Sequence, residues 1–234
     1  MTPAGETVET PAWLLTMGDE DSGNGTADCA PDLDALLFEG GSLLELLSRA
    51  QQRLDHERAG APALCAELLE APPGQREERA AADPRFQSWG VCEELLRCCA
   101  KIQEGDPAAA AQLAALVLSL TPRLGGTHDA PVVQDLEARA WACAGTARLL
   151  QGDTQGAEQA LREGALRLAR GTGDLLVDAR LLEFEAAVRE TQGALRAAVG
   201  LLRQAEARYR EIGESALASR ARAARERLRA RADS

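Results

Sequence analysis

The sequence predicts an all-α protein built from stacked helical hairpins, and three observations predict it. Large and small apolar residues recur at three- and four-residue spacing through most of the chain, the period of a helix face. The composition agrees: 234 residues, 45% hydrophobic but only 3% aromatic, with Ala and Leu dominating over β-branched types, which favours helix. The third observation is a helix-turn-helix phrase from Ala138 to Ala169 that returns about forty residues downstream and, more loosely, upstream.

In that central phrase the first helix carries Trp141, Ala144, Gly145, Arg148 and Leu149, and the second carries Ala157, Ala160, Leu161, Gly164 and Leu168. Gly145 and Ala157 leave almost no side chain where two antiparallel helices meet, so their backbones can approach closely. Gly152 ends the first helix because it tolerates positive φ, and Asp153 accepts the free N–H groups that open the second. Trp141, Gly145, Gly152, Asp153 and Ala157 stand at the spacing of the tetratricopeptide repeat, which the phrase resembles. Arg148 and Leu161 replace the family's aromatics, and Gly164 its usual Ala.

Downstream, Leu182, Ala186, Gly193, Ala198, Leu202 and Ala205 repeat the pattern. Upstream, Leu95, Cys98, Gly105, Asp106, Pro107, Ala110, Ala114 and Leu118 do so, Pro107 suiting a first helical turn. One hairpin cannot bury its apolar face alone, so the resemblance implies a right-handed solenoid of about three degenerate repeats with helical caps. Phe86, Gln87, Trp89, Gly90, Asp106, Pro107, Arg139, Ala140, Trp141 and Gly145 further resemble tetratricopeptide-like proteins of uncharacterised role of the acidobacterial type. Some of these join the repeats to a helix-turn-helix DNA-binding domain, which this sequence does not display. The near-exclusive use of Arg over Lys, with abundant Ala, points to a GC-rich bacterial genome.

Three segments follow: residues 1–41 as a disordered acidic tail, 42–83 as capping helices, and 84–234 as the repeat domain ending in an Arg-rich helix. The tail is rich in Gly, Thr, Pro and acids. Its one apolar island, Pro11 to Met17 with Trp13, Leu14 and Leu15, reads either as a docking motif or as packing on the folded part. Gly40-Gly41 should stop a short helical turn from Asp32. Ser42, with Glu45 three residues on, then forms a capping box for a helix to about Arg58; a shorter one runs from Ala61 or Pro62 to Glu70. Pro72-Pro73-Gly74 breaks the chain before a helical piece at 75–82. The last helix, Glu214 to about Arg231, places Ala216, Leu217, Ala221, Ala224 and Leu228 on one side and arginines elsewhere, as a soluble end cap requires.

Net charge is −11 and uneven: residues 1–48 hold ten carboxylates and no Lys or Arg, whereas Arg220, Arg222, Arg225, Arg227, Arg229 and Arg231 cluster at the far end. Attraction between the tail and this helix is one consequence. The acidic balance and the lack of an aromatic platform argue against nucleic acid. No secretory signal or membrane-spanning stretch is expected, and the protein is placed in the cytoplasm. Cys92, Cys98, Cys99 and Cys143 read as small buried residues of helices, without zinc spacing. His56 and His128 have no nucleophile in motif context, and no glycine-rich loop has the Lys of a phosphate cradle. No enzyme, metal or cofactor is expected.

Binding remains. The tetratricopeptide resemblance implies that first helices line a concave groove for a partner's extended or helical peptide. Carried over by the motif, the lining would be Leu95, Cys99 and Ile102, then Arg139, Ala142, Thr146 and Leu149, then Arg180, Glu183, Ala187 and Glu190, on a scaffold defined by Trp89, Trp141, Gly145, Gly152, Asp153, Ala157 and Ala198. The basic-and-Asn clamp for C-terminal carboxylates is missing. Arg139 and Arg180 suit an acidic group, unless they pair with Glu137 or Glu183. The expected function is a scaffold or adaptor for another protein, with self-association possible; the alternative is a regulatory partner or effector module of a bacterial transcription regulator.

Overall fold

The computed structural model describes residues 33–233, with side chains from residue 44 onward except Leu46. The expectations for residues 1–32, including the Trp13 island, lie outside the described residues. Two compact units are distinguished, Met1–Leu47 and Ser48–Ser234. Among the described residues regular structure is entirely helical, with no strand: α1 (Leu33–Leu69), α2 (Arg76–Ala82), α3 (Trp89–Ile102), α4 (Pro107–Leu120), α5 (Ala130–Leu150), α6 (Thr154–Leu168), α7 (Leu175–Thr191), α8 (Leu195–Glu211) and α9 (Ser215–Ala232), with short 3₁₀ segments at Pro73–Gln75, Pro84–Phe86 and Thr121–Gly126.

The N-terminal region departs from expectation. Gly40-Gly41 does not stop the chain, Ser42 is not an N-cap, and the two short helices are one continuous α1 with Pro62 inside it. The short helical turn expected from Asp32 is the start of this helix, which begins at Leu33. Proline within a helix removes a hydrogen bond and costs ~3 kcal/mol. Around Pro62 that cost is offset by packing, since Ala61, Cys65 and Leu68 are buried.

From α3 onward the helices follow one another as antiparallel neighbours, α3 with α4, α5 with α6 and α7 with α8. The first helix of each pair also touches the first of the next, α3 against α5 and α5 against α7, and α9 closes the end against α8. Gly152, Gly193 and Gly213 adopt φ of 80°, 75° and 78°, and each ends its helix in the same two bonds. At the first, Gly152 N–H reaches Leu149 O at 3.0 Å and Asp153 N–H reaches Arg148 O at 2.9 Å; the corresponding pairs recur at the other two. This is the double closure of a left-handed C-cap. Gly152 and Gly193 stand 41 residues apart, against ~34 residues in a tetratricopeptide repeat. Asp153 accepts from Gly156 N–H at 2.8 Å, as expected of a cap. Asp106 accepts from Ala109 N–H at 2.9 Å, with Pro107 in the first turn.

Close approach is made where side chains are missing. A Cβ on Gly145 would stand 2.1 Å from Phe184 Cζ and 2.9 Å from Ala160 Cβ, so α5 meets both α6 and α7 there. One on Gly90 would stand 2.5 Å from the Glu57 carbonyl oxygen, which seats α3 directly on the α1 backbone. Ala157, Ala160 and Ala198 are fully buried.

One segment, Pro107–Gly126, reaches the length and apolarity of a bilayer span, with a mean hydropathy of 1.2, contrary to the sequence expectation. The α-helical part is 14 residues, ~21 Å at 1.5 Å per residue, short of a ~30 Å hydrocarbon core. Leu113, Leu116, Val117, Leu120 and Leu124 bury its apolar surface in the protein.

Candidate groove on the first helices

The inner faces of α3, α5, α7 and α9 line a cavity of about 570 Å³. A second, of about 470 Å³, lies between α7, α8 and α9. The two adjoin at Glu183, Ala187 and Arg220, which line both.

Of the residues expected there, Arg139, Ala142, Thr146, Arg180, Glu183, Ala187 and Glu190 line one cavity or both. The α3 residues do not. Leu95 and Cys99 are wholly buried in the core, and Ile102 packs against the same cluster. Leu96, Ala100 and Gln103 face the groove instead, one residue on, a turn of about 100° around the helix. Leu149 packs against the cluster containing Phe184 and is also outside the lining. Leu95 and Cys99 are more apolar than Ala100 and Gln103, but Leu96 is as apolar as Leu95 and lines the cavity, so composition alone does not fix the face. The contribution of α9, through Arg220, Arg227 and Arg231, had no signal, because the helix reads as an end cap.

The ionic pattern differs from the pairs considered from sequence. Arg139 approaches Glu93 at 3.7 Å, while Glu137 holds Arg167 at 2.9 Å and Thr121 Oγ1 at 3.0 Å. Glu93 also receives Arg58 of α1 at 2.8 and 3.2 Å. Burial pushes its carboxyl up, but Arg58 and the Trp89 ring N–H hold it below the usual carboxylate range, with the Arg139 charge adding to the effect. Glu183 is a structural hub: Tyr209 donates its hydroxyl at 2.7 Å and Arg220 donates at 2.9 and 3.2 Å. Burial, then the hydrogen bond to Glu183, push the Tyr209 phenol above its ordinary value. Arg231 pairs with Glu190. Among the described residues Arg180 and Arg227 make no ion pair.

The protein-family models contain no match to this chain, and neither the curated proteins nor the solved structures yield one.

His56 is an exposed residue of α1. His128 lies against Trp89 with the rings tilted by 43° and their centroids 5.2 Å apart, where burial pushes its imidazole down. Among the described residues no three His, Cys, Asp or Glu are grouped to hold a metal. Burial pushes the Cys65 and Cys92 thiols up to about 12. Sequence reasoning also passed over Cys143, which lines the groove one turn after Arg139.

Proposed function

We propose that residues 84–234 form a right-handed tetratricopeptide-like solenoid, and that the protein is a non-catalytic adaptor whose groove takes an extended or helical segment of another protein. The observation that carries this reading is the cavity lined by α3, α5, α7 and α9, with an apolar floor of Leu96, Ala142 and Ala187, adjoining a second cavity between α7, α8 and α9. Arg180 and Arg227 stand at these cavities without ion pairs among the described residues. An unpaired guanidinium beside apolar surface suits a carboxylate-bearing peptide, since Arg binds carboxylates in bidentate fashion. Free thiols at the five described cysteines fit a reducing compartment.

The test is partner capture from native lysate by the full chain, compared with Arg180→Glu plus Arg227→Glu. Neither arginine supports another element through an ion pair, so the double reversal should leave the helical circular-dichroism signal unchanged and reduce the captured partner at least ~10-fold. Undiminished capture by the reversed protein would place recognition elsewhere.

A further inference from the structure

The cavity between α7, α8 and α9, of about 470 Å³, falls within the ~300–1,000 Å³ of small-ligand pockets. Two helix faces make its sides. On α9, Arg220, Ala224, Arg227 and Arg231 recur at the helix period, and on α7 Glu183, Ala187 and Glu190 do the same. Glu183 holds Arg220 at 2.9 Å, and Glu190 pairs with Arg231. Between those two bridges α7 presents Ala187, whereas α9 presents Arg227.

Arg227 is the exception on its helix. Arg222 pairs with Glu226, Arg225 with Glu206 and Arg229 with Asp233, as Arg220 and Arg231 do with the acids of α7. Among the described residues Arg227 is thus the one α9 arginine without an ion pair. Three arginines and two glutamates line the cavity, which leaves one positive charge unbalanced. Ala186, Leu202 and Leu228, all buried, give the same space an apolar lining.

We infer that this cavity binds a small monocarboxylate with a compact apolar body, its carboxylate on Arg227 and its apolar part against Ala186, Leu202 and Leu228. Both halves of the ligand are required. The guanidinium fork matches a carboxylate with two parallel hydrogen bonds, but Arg227 is exposed, and an ion pair in water contributes little by itself. The apolar lining supplies the burial that retains the ligand, without directing it. A dianion exceeds the single unbalanced charge, and a neutral molecule leaves it unmet. Arg227 is also one of the two arginines that the adaptor reading gives to a partner segment. An occupied cavity leaves that segment only Arg180, so ligand and partner compete; this consequence alone rests on the adaptor reading.

The probe is octanoate, titrated calorimetrically into the purified full chain. No partner protein enters the measurement, so its outcome is separate from that of partner capture. The wild-type chain should bind a single octanoate with a Kd of ~1 mM or tighter. Acetate, which lacks the apolar body, and octanol, which lacks the charge, should each bind at least ~10-fold more weakly. Arg227→Gln should weaken octanoate binding at least ~10-fold with an unchanged circular-dichroism spectrum. Arg180→Gln, in the adjoining cavity, should bind octanoate as the wild type does. Wild-type binding weaker than ~10 mM, octanol that matches octanoate, or undiminished binding by Arg227→Gln would overturn the proposal. So would loss of octanoate in Arg180→Gln alone, which would move the ligand to the first cavity.

Discussion

The junction of α5, α6 and α7 and the end formed by α7, α8 and α9 solve the same packing problem with different materials. At the first, helices meet through missing side chains: Gly145 admits the Phe184 ring and Ala160, and Gly164 lies against Leu181 and Trp141. At the second, carboxylates are taken inside and neutralised. Glu206 of α8 is 2% exposed and holds Arg225 of α9 at 2.9 Å and Arg210 of its own helix, while Glu183 gathers Tyr209 and Arg220. Steric contact tolerates no added volume but is indifferent to charge. The ionic end accepts changes of shape at its exposed arginines, yet fails when a buried charge loses its partner.

Substitutions separate the two modes. The largest effect should come from Gly145→Val: extra volume against Phe184 forces α5 and α7 apart and should cost about 3 kcal/mol, read as a lower urea midpoint. Loss below ~1 kcal/mol would mean that the Phe184 ring swings aside cheaply and that the contact is not the constraint. Next, Glu206→Gln removes a buried charge facing two arginines and should cost about 2 kcal/mol. Arg225→Gln should couple to it in a double-mutant cycle, whereas neither should couple to Gly145→Val. Additivity between positions 206 and 225 would remove the ionic half of the comparison. The smallest effects sharpen it by control: Gly152→Ala and Gly213→Ala, one in each region, should each cost about 1 kcal/mol, because both glycines hold φ near +80° irrespective of what packs around them. Unequal costs would show that the turns are not local devices.

The first of those turns was legible in the sequence. Gly152 followed by Asp153 specifies a helix end and a helix start through backbone sterics and one carboxylate. Gly145 was legible for a related reason: a missing side chain in an otherwise large-and-small helical stripe marks a contact. Legibility failed where the decision was long-range. Gly40-Gly41 and Pro62 are stop signals by local rules, yet α1 continues. On α5 and α7 the motif pointed to Arg139, Ala142, Thr146, Arg180, Glu183, Ala187 and Glu190, which line the cavities, but it misplaced Leu149 and missed Cys143, while on α3 it gave a face turned by one residue.

By itself, then, the sequence determined the helical class, the turn between α5 and α6, and the ends of α9 to within a residue or two, since each depends on φ preferences, hydrogen-bond donors and apolar periods within a few positions. Only tertiary structure decided which side of α3 faces the groove, because Gly90 seats that helix on the Glu57 carbonyl and so accompanies the burial of Leu95 and Cys99. It likewise made α9 a wall of the cavities through Arg220 and Arg227. Those placements depend on how helices distant in sequence rotate against one another, and rotation is set by the packing of all of them together.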